Sequence, residues 1–207
     1  MGLENSNTQL AKIVTIVGGK FTVRLKDDDQ NPDAFERVLE KGPNVGKTVK
    51  ELRYDSLSGT IVGGEVHETE YGQDLHLSIE DEGEKFILSL PVGNQYFQQV
   101  VKRMPNIDPS KPVVFVLGYD KERQRNFIFI RQDGASVKMA FTKENPNGMP
   151  NAEKKVVCGK DKLDFEAQDN FLYGVAVDFL CAVEFPEGAQ DEPDREQEEG
   201  DDDGVPF

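Results

Sequence analysis

The 207-residue chain reads as a mainly β protein organised around a small barrel of five strands, with one helix between the third strand and the fourth. Three observations predict this. Short runs rich in β-branched and aromatic residues fill residues 57–141, and Gly, Asp and Asn turns separate them. Within that span only residues 94–104 carry apolar side chains at helical rather than alternating spacing.

Taken in order, residues 12–17 and 20–26 are two β-rich runs around Gly18-Gly19, which supplies the positive φ of a two-residue hairpin turn. Asn31-Pro32 then offers a cap and a first-turn proline to a short helix, 32–41. Phe35, Val38 and Leu39 share a face of it, and Gly42-Pro43 ends it. The run 42–48, Gly-Pro-Asn-Val-Gly-Lys-Thr, has three residues between its glycines where a phosphate-binding loop needs four. It also follows a helix and precedes the β-like run 48–54, so a nucleotidase reading is excluded.

The first barrel strand is 57–69, with Gly63-Gly64 marking a bulge or sharp bend. In 73–80, Leu75, Leu77 and Ile79 alternate with Asp74, His76 and Ser78, so one face is buried and the other wet. Asp81-Glu82-Gly83 turns the chain into 84–90. The helix 94–104 presents Phe97, Val100, Val101 and Met104 and stops at Pro105. Strands 112–119 and 126–132 follow, joined by a charged turn at 120–125, and Asp133-Gly134 leads to a last short strand, 136–141.

Residues 145–155 form a Pro, Gly and Asn loop, and 156–159 suit either a strand or more of the loop. The stretch 169–184 has Leu172, Val175, Ala176, Phe179, Leu180 and Val183 at helical spacing behind a capping Asp169. Gly174 and the β-branched residues leave a strand pair open as well.

Beyond residue 186 the composition changes. Residues 187–207 hold ten acidic side chains against Arg195 alone, too charged and too poor in apolar groups to order themselves. The chain therefore divides into one elaborated domain, 1–186, with its barrel core at about 57–141, and a disordered acidic tail. The net charge is −15, and without the tail the body still holds 29 acidic against 23 basic residues. Only a locally basic face could make such a body a nucleic-acid binder.

Such a stretch exists: residues 121–162 carry ten basic side chains against five acidic ones. Within it, the alternation of 126–131 puts Ile128 and Ile130 on one face and Phe127, Phe129 and Arg131 on the other. Bases stack on exposed aromatic rings while arginines hold phosphates. The candidate contacts are Lys121, Arg123, Arg125, Phe127, Phe129, Arg131, Lys138, Lys154 and Lys155, with Lys143, Lys160 and Lys162 in the same basic run. Lys47, Lys50, Arg53 and Tyr54 form a second group, and Tyr71 is a third. Two alternatives stay open: the rings pack beneath a neighbouring element, and the lysines are solvated loop residues.

Two isolated cysteines, Cys158 and Cys181, indicate neither a zinc site nor a disulfide framework and suit a reducing cytoplasm. No run reaches the roughly 20 apolar residues of a membrane span. Met1 to Ser6 matches the short myristoylation pattern. His67 and His76 stand at no metal-ligand spacing and beside no nucleophile motif, so the reading is a non-enzymatic one with no cofactor and no metal.

Three strands, a helix and two strands is the order of the OB-fold, a Greek-key barrel that commonly binds oligonucleotides. The last seven residues, Asp201, Asp202, Asp203, Gly204, Val205, Pro206 and Phe207, set aspartates before an apolar tripeptide. Together these features resemble bacterial and phage single-stranded DNA-binding proteins, whose acidic tip ends in Pro-Phe; the extra Gly204 departs from the common form. The resemblance implies a protein that coats single-stranded DNA during replication, recombination or repair in a bacterial cytoplasm. It also implies that Asp201, Asp202, Asp203, Val205, Pro206 and Phe207 recruit replication and repair enzymes and compete with DNA for the basic groove. A homo-oligomer or cooperative filament on DNA stays open. The rival reading is an acidic-tailed module whose barrel binds protein.

Overall fold

The computed structural model describes residues 11–40, 42, 44–70, 72–157 and 160–184. Expectations for Tyr71 and for the tail 187–207 lie outside the described residues. The described chain is mainly β, with twelve strands and two α-helices.

Strands β1 (Lys12–Val17) and β2 (Lys20–Arg24) form the hairpin the sequence predicts. Gly18 (φ 58°) and Gly19 (φ 76°) occupy the left-handed region its turn requires. Residues 32–41 correct the expectation of a helix. Phe35–Val38 is strand β3, paired antiparallel with β4 (Thr48–Tyr54). The apolar spacing of Phe35 and Val38 fits either period, and an isolated ten-residue helix is marginal in water. The open edge of β4 supplies hydrogen bonds that a lone helix would have to make alone.

β5 (Ser56–Thr69) is the hub, paired with β6 (Gly72–Asp81) on one side and β8 (Val113–Asp120) on the other. Its pairing with β6 slips between Ile61 and Gly63, the bulge foreseen from the two glycines. Gly64 has a further role: a Cβ there would meet the His76 carbonyl and come within 2.9 Å of Leu180 Cδ2, so the absent side chain seats the C-terminal helix. β7 (Glu84–Pro91) pairs with β6, and β9 (Arg125–Gln132) with β8. The last strand is shorter than the expected 136–141: β10 is Ala135–Ser136 only, because Val137 and Phe141 turn into the core instead.

Strands β1 to β10 belong to one open mixed sheet in the order β10-β9-β8-β5-β6-β7-β1-β2-β4-β3. The N-terminal hairpin is thus part of the main sheet. β1 lies parallel to β7, and the sheet continues through it. The sheet's inner face and α1 (Gln95–Val101) enclose the core, where Leu75, Leu77, Ile79, Leu88, Phe97, Phe115 and Ile130 are buried. Each such side chain contributes about 1.5–3 kcal/mol. Asn94 caps α1 by accepting a hydrogen bond from Phe97 N at 2.7 Å.

Two elements follow. β11 (Glu153–Val157) and β12 (Lys160–Asp164) make a separate hairpin, settling as strand the part of 156–159 that is described. Helix α2 (Glu166–Glu184) buries Leu172, Ala176 and Leu180, settling the helix against the strand pair. It begins three residues before Asp169. The carboxylate of Asp164 accepts from Glu166 N (3.0 Å), while Asp169 accepts from Gln98 Nε2 (2.8 Å) and ties α2 to α1.

Candidate nucleic-acid interface

Along β9 the alternation turns Ile128 and Ile130 into the core, both almost wholly buried. Arg125, Phe127, Phe129 and Arg131 share the opposite face, the two rings half-buried and the arginines exposed. Neither ring belongs to the hydrophobic core. The parity adds Arg125 to the predicted trio, so two arginines bracket two phenylalanines on one strand.

The neighbouring strands keep this face low. Opposite Arg131, Phe129 and Phe127 stand Val114, Val116 and Gly118 of β8. Beyond them, Ser58 and Ser56 of β5 pair with Val114 and Val116. Gly118 is where sequence reading fell short: a Cβ there would collide with the Phe127 ring, so the glycine lets that ring lie across β8. The rings stand 5.9 Å apart with 31° between their planes, and the Arg131 guanidinium sits 5.3 Å from the centre of Phe129. That separation suits a loose aromatic pair with a cation at one end.

The strand is held from behind by α1. Gln99 Oε1 accepts from Ile128 N at 3.0 Å, and Val137 N donates to Ile130 O at 2.8 Å, so both groups on the outer backbone edge of β9 find partners. Tyr96, at the start of α1, hydrogen-bonds Asn126, and burial raises its phenol pKa. The β1–β2 turn also approaches Asn126, within 2.9 Å of a Cβ placed on Gly19.

The other predicted residues divide by their partners. Lys121 and Arg123 lie in the β8–β9 turn, both exposed, with Asp120 accepting from Arg123 N at 3.0 Å. Lys138 is exposed just past β10, and Lys143 is exposed further along. Lys154 and Lys155 sit on the separate β11–β12 hairpin, as does Lys162. Lys155 is ion-paired with Asp164, which raises the lysine pKa and lowers that of the carboxylate.

The second group is split by β4. Lys50 Nζ donates to the carbonyls of Asp27 (3.3 Å) and Asp29 (2.8 Å) and so anchors its own loop. Arg53 lies 3.5 Å above the Phe35 ring and 3.5 Å from buried Glu51, whose main partner is Arg37 at 2.5 Å. These two cations serve the fold. Lys47 is exposed at the start of β4, and Tyr54, on the face opposite Arg53, is half-exposed over an open cleft of about 770 Å³. His67 and His76 stack across β5 and β6 with centroids 5.3 Å apart. No group of three His, Cys, Asp or Glu among the described residues is placed to hold a metal. No described helix is long and apolar enough to cross a membrane.

Scans against protein-family models, curated proteins and solved structures each returned no match.

Proposed function

We propose that this chain binds single-stranded DNA without sequence preference, using the outer face of β9. The observation that carries the reading is the row Arg125, Phe127, Phe129, Arg131: two rings outside the core between two cations. Bases stack on such rings for about 1–3 kcal/mol each whatever their identity, and the arginines contact phosphate. Exposed Lys121, Arg123 and Lys138 extend the positive surface around the strand. A body that is acidic overall would then meet the polyanion first along this face.

Two further features support the reading. The succession β5, β6, β7, α1, β8, β9, with β5 flanked by β6 and β8, is consistent with an elaborated OB-fold, a partly open barrel. The acidic tip Asp201 to Phe207 suits a recruiter of replication and repair proteins: a pocket with a basic rim and an apolar floor would take Asp201, Asp202 and Asp203 together with Val205, Pro206 and Phe207. In this reading the protein coats strands exposed during replication, recombination or repair and performs no chemistry on them.

The experiment is a mobility shift with a labelled single strand of mixed sequence, challenged with unlabelled single-stranded and duplex competitors. A shift removed by single strands of any sequence supports the reading. No shift at low salt refutes it and favours the protein-binding alternative.

A further inference from the structure

The large cleft under Tyr54 is built by elements outside the β9 face. β1, β2 and β4 give it an apolar floor from Val14, Val23 and Leu52, with Phe86 of β7 and Tyr54 as aromatic walls. A folded sheet that leaves such a concavity open forgoes the contacts that would fill it, and mostly apolar clefts with a few polar groups at hand are common ligand sites.

The charges at its rim are unequal in their partners. Of the acids, Glu84 is held by Lys12 at 2.9 Å, Asp81 accepts from the Ser58 hydroxyl at 2.8 Å, and Asp29 accepts from Asn31 N at 2.9 Å. Arg24 and Lys26 also line the cleft, both exposed and without an ion pair to a described residue. An entering ligand therefore finds apolar and aromatic surface below and two available cations beside it.

One residue of the cleft also belongs to the row that holds Phe129. Ser56 lines its lip and, through Val116, stands in the same cross-strand row as Phe129. Two strand spacings, about 10 Å, separate Phe129 from Ser56.

We infer that the cleft is a second nucleotide subsite, which takes one unstacked base against Tyr54 while Arg24 and Lys26 hold the adjoining phosphates. This rests on the single-strand reading and names where the strand goes after leaving β9. The test uses the full chain and three variants, Tyr54→Ala, Tyr54→Phe and the double Arg24→Gln/Lys26→Gln. Each is titrated with an oligothymidylate series of increasing length, and thermal melts of each variant accompany the titrations.

Tyr54→Ala is expected to weaken binding to the longer strands about 5- to 150-fold, the equivalent of one lost stack, and to shorten the length at which affinity stops rising. Tyr54→Phe is expected to restore both, and the cation double variant to lose affinity with a shallower salt dependence. Arg24 and Lys26 are exposed and Tyr54 is half-exposed, so the cation variant and Tyr54→Phe should melt as the parent does and Tyr54→Ala only slightly below it. A parent that binds, beside variants with unchanged affinity and unchanged length dependence, overturns the cleft assignment alone. A parent that binds no strand of any length overturns the single-strand reading and the subsite with it.

Discussion

Replacing both rings of β9, Phe127→Ala with Phe129→Ala, separates a binding face from a core. Neither ring is part of the core; they pair with each other, Phe127 lies against Gly118 and Phe129 stands beside Arg131. Losing one aromatic pair costs about 0.5–1.5 kcal/mol beyond area, so with their partial burial the double variant should lose on the order of 1–2 kcal/mol of stability. Its loss in single-strand affinity should be larger, about 2–6 kcal/mol for two stacks, or roughly 30-fold to more than 10⁴-fold. The neighbours give the contrast. Ile128→Ala and Ile130→Ala each remove a buried side chain and should cost about 2–5 kcal/mol of stability. The assay pairs fluorescence anisotropy on a labelled strand with urea denaturation of the same samples. If the phenylalanine variant unfolds as readily as the isoleucine ones, or binds DNA as the parent does, the rings are structural and the reasoning fails.

Further outcomes are expected. Gly64→Ala should destabilise the protein by at least 1–3 kcal/mol as overpacking, since its Cβ meets the His76 carbonyl and Leu180. Gly174→Ala, open on every side within α2, should stabilise by about 0.5–1 kcal/mol; thermal melts of the two read the difference. Glu51→Ala leaves Arg37 and Arg53 unpaired at a carboxylate site only 5 % exposed. Because both arginines reach solvent, the expected cost is about 2–3 kcal/mol, below the full penalty for a buried pair, measured by urea denaturation. Deleting residues 187–207 removes ten acidic groups and one arginine. Salt-dependent titration should show tighter DNA binding and a steeper slope, and deleting only Val205 to Phe207 should leave affinity unchanged while abolishing partner capture.

What could be read from sequence was what local chemistry dictates. Gly18-Gly19 permits one kind of turn, Leu75, Leu77 and Ile79 alternate over a single buried face, and Gly63-Gly64 can bend a strand without side-chain cost. What could not be read depends on distant partners. The four residues of β3 carry no period that separates helix from strand, and the free edge of β4 decided between them. The parallel pairing of β1 with β7 joins segments some 70 residues apart, and nothing in either announces the other. The candidate site divides in the same way. The alternation of β9 placed Phe127 and Phe129 opposite the isoleucines, but the glycine under Phe127 is visible only in the β8 register. Charge could be counted, yet its commitment could not: Lys50, Arg53 and Lys155 are bound to their own chain. The cleft escaped notice because its walls come from strands scattered between β1 and β7.

The most direct test of the central claim is the affinity of the full chain for labelled oligothymidylate, oligodeoxycytidylate, oligodeoxyadenylate and a mixed-sequence strand, by anisotropy at several salt concentrations. The account predicts comparable binding to all four, falling linearly in log affinity against log salt with a slope set by a few phosphate contacts. Absence of binding at the lowest salt, or binding confined to one sequence and insensitive to salt, would contradict it.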